Sequence, residues 1–220
     1  MPEFTAARIN MVDSQIHTMG VVNESVLDAF RTIRREDFVP PTSRGIAYCD
    51  EDLPVAAGRC LMEPVTHARL IQAAAPNAGE LVLDIGCATG YSAAILSRLA
   101  GRVVALEQDA GLLAAAEQNW LSLGINNVMP HMGPFAEGNP AEGPYDLIMI
   151  NGTVSEIPTL LIEQLRTGGR IAAVLKSRED KIGRAVLVTK DKDGQAGTRV
   201  LFDAAVPYLP GLMPRNEFVF

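Results

Sequence analysis

Apolar positions in the first third of the chain recur at helical spacing. Between residues 5 and 19, Ile9, Val12, Ile16 and Met19 share one side, and Gly20 is placed to end the helix. Asn23 is a candidate N-cap for a second helix that presents Val26, Leu27, Phe30 and Ile33 and ends near Arg35. Residues 42–64 are irregular, broken by prolines and glycines, until Pro64 opens a third helix with Val65, Ala68, Leu70 and Ile71 apolar. From residue 80 the pattern changes to short apolar runs alternating with helical stretches. Strands are expected at 81–85, 102–107, 127–131, 145–150 and 169–175, and helices at 91–99, 110–123 and 157–165. This rhythm implies a parallel sheet with helices on both faces. Residues 185–189 and 198–204 are β-rich runs around Lys190-Asp191-Lys192-Asp193-Gly194, so the sheet is expected to end in an antiparallel hairpin. No internal repeat is visible. The chain reads as a single domain, 1–220, with an N-terminal helical extension and loop over 1–75 and an α/β core over 76–220.

Composition narrows the class. The chain has 220 residues, 48% apolar and 20% charged, which suits one soluble domain with a substantial core. The net charge of −7 argues against a nucleic-acid partner, because phosphate binding needs a basic face. The pair Arg34-Arg35 reads as a solvated helix end. No run approaches the length of a membrane span, and the first residues lack the pattern of a signal peptide. The three cysteines, Cys49, Cys60 and Cys87, have no CxxC spacing. Neither a metal site nor a disulfide framework is expected, and a reducing cytoplasm is the natural compartment. Cys87 reads as a small residue filling a tight turn rather than a reactive thiol.

The candidate chemistry lies in Asp84-Ile85-Gly86-Cys87-Ala88-Thr89-Gly90-Tyr91. A strand ends, a glycine turn follows and a helix begins, so a ligand can approach the backbone and meet the free N–H groups of a helix start. In open α/β sheets ligands sit beyond the C-terminal ends of the strands. The dinucleotide fingerprint GxGxxG fits poorly, since Ala88 and Tyr91 occupy its second and third glycine places. The spacing fits the GxxxG turn used with S-adenosylmethionine, which has no phosphate to bind. Glu107 ends the next strand, where a carboxylate can accept hydrogen bonds from both ribose hydroxyls.

At these positions, and over nearly the whole chain, the sequence resembles the protein-L-isoaspartate O-methyltransferase family. Met11-Val12-Asp13-Ser14-Gln15-Ile16 and Val26-Leu27-Asp28-Ala29-Phe30 look like the family's N-terminal helices. Arg34-Arg35-Glu36-Asp37-Phe38-Val39-Pro40 is similar to its "PRExFVP" signature. Ala47-Tyr48 and Asp52-Leu53-Pro54-Val55 follow its loop before the substrate segment. Leu83-Asp84-Ile85-Gly86 with Gly90-Tyr91-Ser92-Ala93-Ala94 resembles "LEIGTGSGYQAA", and Tyr145-Asp146-Leu147-Ile148 and Gly168-Gly169-Arg170 match later blocks. The resemblance implies a Rossmann-like methyltransferase fold and S-adenosyl-L-methionine as cofactor, held by Asp84, Gly86, Cys87, Gly90, Tyr91, Glu107, Gln108 and Gly133. It implies transfer of a methyl group to the carboxylate of isoaspartyl residues in damaged proteins or peptides, by a cytoplasmic monomer or homodimer that meets neither nucleic acid nor membrane.

The departures from the family concentrate on the substrate side. Its "GQTIS" segment is Gly58-Arg59-Cys60-Leu61-Met62 here, so Cys60 replaces a threonine and Met62 a serine. Its "GDG" is Gly133-Pro134-Phe135, and its "VTAA" is Ile150-Asn151-Gly152-Thr153. The catalytic group is therefore unassigned, and weak or absent isoaspartyl methylation is expected. A small-molecule acceptor, or a catalytically silent cofactor-binding sensor or scaffold, are the alternatives. A carboxylate acceptor is already ionised and needs no general base, so the lack of an obvious catalytic histidine is no objection. His17, His67 and His131 read as surface or interface residues, with His67 the best outsider. Arg59 and Met62 are candidate substrate-loop residues. Arg59 could hold a carboxylate, against the plainer reading that it pairs with Glu63 on the surface. Met62 reads as a core filler that could line an apolar acceptor pocket. Trp120 reads as core or helix-packing surface.

Overall fold

The computed structural model describes residues 2–214. The apolar C-terminal residues Glu217-Phe218-Val219-Phe220, whose packing partner is not legible in the sequence, lie outside them. The chain begins with helix α1 (Pro2–Asn10), which continues through a π-helical turn (Met11–Ile16) and a 3-10 turn (His17–Met19) to Gly20 at φ 88°. Met11, Val12 and Ile16 are buried, whereas Ile9 and Met19 are exposed. The expected apolar face is therefore shifted, because the wider π turn rotates the residues after Asn10 away from simple α-helical phase. Helix α2 (Glu24–Thr32) starts where Asn23 accepts a hydrogen bond from Val26 N at 3.2 Å, as the sequence suggested. It stops at Thr32, three residues earlier than expected, and a 3-10 turn (Arg35–Asp37) follows.

Residues 42–64 are more ordered than their prolines and glycines suggested. A 3-10 segment (Pro41–Ile46) leads to an antiparallel hairpin of β1 (Leu53–Ala56) and β2 (Arg59–Leu61). Helix α3 (Pro64–Ala74) begins with Pro64 in its first turn. The core alternates as expected through β3 (Leu81–Ile85), α4 (Tyr91–Ser97), β4 (Arg102–Glu107), α5 (Ala110–Ser122), β5 (Val128–Met132), β6 (Tyr145–Val154), α6 (Thr159–Glu163) and β7 (Leu165–Leu175). It closes with β8 (Gly183–Lys190) and β9 (Ala196–Ala204), the anticipated hairpin.

Sheet order is β5-β4-β3-β6-β7-β8-β9, parallel from β5 to β7 and antiparallel from β7 to β9. Period-2 alternation divides the core between the two faces. Val82, Leu147 and Met149 pack toward the N-terminal helices, whereas Leu83, Ile148 and Ile150 pack toward Phe135, Leu161 and Leu209. Strand order reverses direction at β3, between β4 and β6, so the crevice for a ligand lies over the C-terminal ends of these three strands. Among the described residues no helix is long and apolar enough to cross a membrane.

Candidate active site

The C-terminal end of β3 turns sharply through residues 86–90. Gly86 and Gly90 have φ of 73° and 96°, and Ala88 shares the left-handed region at 51°. At Gly90 the reason is packing as much as backbone freedom. A Cβ there would meet Trp120 Nε1 at 2.6 Å and Ala116 Cβ at 2.9 Å, and the indole donates to Gly90 O at 2.9 Å. Trp120 is thus core, as read from the sequence, and it braces the turn from below.

Glu107, at the end of β4, is fully buried beside this turn. Its Oε2 accepts from Ala88 N at 2.9 Å, and its Oε1 accepts from Gln108 N at 2.9 Å and Asp109 N at 3.2 Å. The fourth donor is Arg59, whose Nη1 lies 2.5 Å from Oε1. The proposed surface pair of Arg59 with Glu63 is therefore corrected. Arg59 points inward from β2, with its side chain 6% exposed and its guanidinium 5.2 Å from the Phe135 ring centroid, while Glu63 bonds Thr66 Oγ1. Inward orientation follows from strand alternation, since Arg59 and Leu61 are buried on one face of the hairpin with Cys60 between them.

Asp84 is buried one turn away. Its Oδ1 accepts from Ser92 Oγ and Asn151 Nδ2, both at 2.7 Å, and its Oδ2 has no partner among the described residues. Burial pushes this carboxyl up to about 7, and the negative charge of Glu107 adds to the effect against the two hydrogen bonds. Cys87 is buried and its thiol is driven well above its ordinary value, first by burial and then by Asp84 and Glu107, which fits the turn-filling role.

The substrate-loop positions lie across the turn. Met62 is 5% exposed and, with His67, Gly86, Tyr91, Ser92 and Asn151, lines a cavity of about 10 Å³. Burial pushes the Cys60 thiol up to about 12, with Asp52 adding to the effect, so it is a neutral thiol at physiological pH. Two sequence readings are corrected here. His67 is buried rather than a surface or interface residue, packed edge-on against Phe30 at 5.5 Å between centroids, and burial lowers it to about 3. Its place was legible, because Leu70 and Ile71 lie one turn along the same helix face. Arg35 is fully buried rather than a solvated helix end. It donates from Nε to Ala47 O and from Nη2 to Met62 O, both at 2.9 Å, and its Cζ lies 4.9 Å from the Tyr91 ring centroid. Arg34 alone keeps the solvated position, paired with Asp37.

Asp84, Gly86, Cys87, Gly90, Tyr91, Glu107, Arg59, Cys60 and Met62 are thus gathered around the ends of β3 and β4. Gln108 contributes its backbone N–H but exposes its side chain. Gly133 donates to Glu107 O at 3.1 Å and faces an open groove with His131 and Glu137 instead of the cavity. The sequence did not single out Ser92, Phe135, Asn151 or Leu209 as site residues. Leu209 arrives on a C-terminal segment that lies across the end of β6, with its N bonded to Thr153 O at 2.8 Å and Thr153 N to Pro207 O at 2.9 Å. A Cβ on Gly86 would meet Leu209 Cδ1 at 2.8 Å, and one on Gly152 would meet Leu209 Cβ at 3.0 Å. Among the described residues no group of three or more His, Cys, Asp or Glu side chains could hold a metal ion.

The layout of glycine turn and strand-end acid suits a nucleoside-containing cofactor, but Arg59 and Leu209 lie against the turn and leave only a small cavity beside it. Ligand pockets typically enclose about 300–1,000 Å³, far more than the cavity beside Gly86, and Glu107 Oε1 already accepts from three donors, Arg59 among them.

Comparison with known proteins places this geometry in a family. The sequence profile of protein-L-isoaspartate(D-aspartate) O-methyltransferase (PCMT) matches residues 7–212. A protein-L-isoaspartate O-methyltransferase of Xanthobacter autotrophicus is 35% identical over 192 residues, 87% of each chain. Protein-L-isoaspartate O-methyltransferase 1 of Rhodopseudomonas palustris is 39% identical over 168 residues, 76% of this chain and 69% of that protein. A solved protein-L-isoaspartate O-methyltransferase superposes with a TM-score of 0.81 and 26% identity, covering 94% of this chain and 67% of the other. The fold is also that of a Plasmodium falciparum structure described as a protein-L-isoaspartate O-methyltransferase in complex with S-adenosyl-L-homocysteine (TM-score 0.78, 19% identity, 92% of this chain and 97% of that one). The chain belongs to the protein-L-isoaspartate(D-aspartate) O-methyltransferase family of enzymes.

Proposed function

We propose that this chain is an S-adenosylmethionine-dependent carboxyl O-methyltransferase of the isoaspartate-repair type, with weak turnover on isoaspartyl substrates. The observation that carries the reading is the glycine turn of β3 set against the buried strand-end Glu107, inside a family match that spans residues 7–212. Asp84, Gly86, Cys87, Gly90, Tyr91 and Glu107 form the cofactor side, with backbone support from Gln108 and Gly133 next to the acid. Met62, Cys60 and Arg59 form the acceptor side. The chain 1–220 works as one domain, on damaged aspartyl proteins or peptides in the cytoplasm, as a monomer or homodimer without a nucleic-acid partner.

An ionised acceptor carboxylate suits a cavity in which, among the described residues, no lining side chain is placed as a base. His67 is held neutral by burial and Cys60 is a neutral thiol, so the site positions and dehydrates the acceptor without removing a proton. The weak turnover follows from Met62 and Cys60. A thioether cannot donate the hydrogen bond that a serine hydroxyl would, and one lost contact to a charged acceptor costs about 1.5–3 kcal/mol, or roughly tenfold or more in rate. The missing hydroxyls at Cys60 and Met62 also favour a second reading, a family member retained for binding rather than turnover.

Methyl transfer to an isoaspartyl peptide tests the proposal in wild type, Met62→Ser and Cys60→Thr/Met62→Ser. Low wild-type turnover, partly restored in the double variant, is expected. Turnover equal to that of an authentic repair enzyme would overturn the weakened-activity reading. No transfer by any of the three would overturn the enzymatic one.

A further inference from the structure

The ion pair between Arg59 and Glu107 lies where the family reading puts the cofactor's ribose. A carboxylate offers about four acceptor sites, and in Glu107 three are taken by backbone N–H groups of residues 88, 108 and 109. Arg59 adds a third donor to Oε1, with its side chain and that of Glu107 only 6% and 0% exposed. The guanidinium is also pressed on the turn, since a Cβ on Gly86 would stand 3.4 Å from Arg59 Nη2. Its other face is closed by Phe135. Leu209 fills the space on the same side of Gly86, tied down by the bonds of Thr153 to Pro207 and Leu209 and of Ser155 to Leu212. Two side chains from distant parts of the chain thus occupy the cleft.

We propose that Arg59 is a built-in competitor for the ribose subsite, so that cofactor affinity in this chain is set by the exchange of the Arg59 guanidinium for a ribose hydroxyl on Glu107. The inference rests on the cofactor reading given above. Exchange is feasible without unfolding the core. Arg59 sits on a two-stranded hairpin outside the seven-stranded sheet, and its Nη2 has no hydrogen-bond partner among the described residues, so one ion pair and the Phe135 contact are what hold the guanidinium. A guanidinium moving outward regains water, and Glu107 keeps its three backbone donors throughout. Leu209 must yield at the same time, because its isobutyl group fills the space beside Gly86, where a Cβ would stand only 2.8 Å from Leu209 Cδ1.

Calorimetric titration of S-adenosylhomocysteine into wild type, Arg59→Met and Arg59→Met/Leu209→Ala tests the proposal. Methionine keeps an apolar stem against Phe135 without the charge. At least tenfold tighter binding in Arg59→Met than in wild type is expected, with a further gain in the double variant. Hydrogen exchange supplies a second readout: in wild type, saturating ligand should speed exchange over residues 53–61 and slow it over 86–90. Equal or weaker binding in Arg59→Met, or slower exchange in both segments, would overturn the competitor role and leave the cofactor reading standing. No binding by any of the three proteins would overturn both.

Discussion

Arg59 reaches across 48 residues of sequence to place its Nη1 2.5 Å from Glu107 Oε1, yet the two partners depend on each other unequally. Without Arg59, Glu107 still accepts from Ala88, Gln108 and Asp109. Without Glu107, Arg59 loses its acceptor, and so do the N–H groups of Ala88, Gln108 and Asp109. Removing one partner of a buried pair so that a charge is stranded costs about 3–5 kcal/mol, whereas losing one hydrogen bond to a charged group costs about 1.5–3 kcal/mol. Urea unfolding should therefore find Glu107→Ala clearly less stable than Arg59→Met. Equal losses would show that the backbone donors do not sustain the carboxylate.

The glycine at position 90 is expected to be intolerant because of Trp120. A methyl group there meets the indole at 2.6 Å in a backbone at φ 96°, so Gly90→Ala should lose about 1–3 kcal/mol from strain alone and more from the clash. Trp120→Phe removes the offending five-membered ring and should recover part of the loss. A double-mutant cycle by thermal unfolding checks this, and strict additivity would mean that the two positions do not meet.

Asp84 and His67 pull stability in opposite directions with pH. Asp84 is raised from 3.8 to about 7, so its contribution is full below about pH 4 and is lost as pH rises through 7. His67 is lowered from 6.5 to about 3, so its contribution is full above pH 6.5 and is lost as pH falls toward 3. The two slopes offset each other in wild type between these limits, and the single variants separate them. Asp84→Asn should gain stability relative to wild type between pH 4.5 and 7.5, by on the order of a few kcal/mol. A difference from wild type that is the same at both pH values would contradict a neutral buried Asp84.

Much of this architecture is legible in the residue pattern because it is local. The strand at 81–85, its glycine turn and the acid at the end of the next strand follow from runs and spacings within one β-α-β unit, and Asn23 announces its helix by its own side chain. What escaped is long-range or exceptional. The hairpin holding Arg59 has strands of four and three residues, with Pro54 in the first and Gly58 in the turn between them, too short and interrupted for a periodic signal. Arg35 is a buried charge, which sequence statistics place outside, and its backbone acceptors at Ala47 and Met62 leave no mark in side-chain pattern. Leu209 becomes a site residue only because the segment after the last strand returns over β6, and no local feature of residues 205–212 specifies that return.

A crystal structure of the chain grown with S-adenosylhomocysteine tests the central claim most directly. The account expects the ribose on Glu107 beside the turn of residues 86–90, with the Arg59 guanidinium and the Leu209 side chain displaced from their positions against Gly86. Ligand bound elsewhere while Arg59 remains on Glu107 would contradict it.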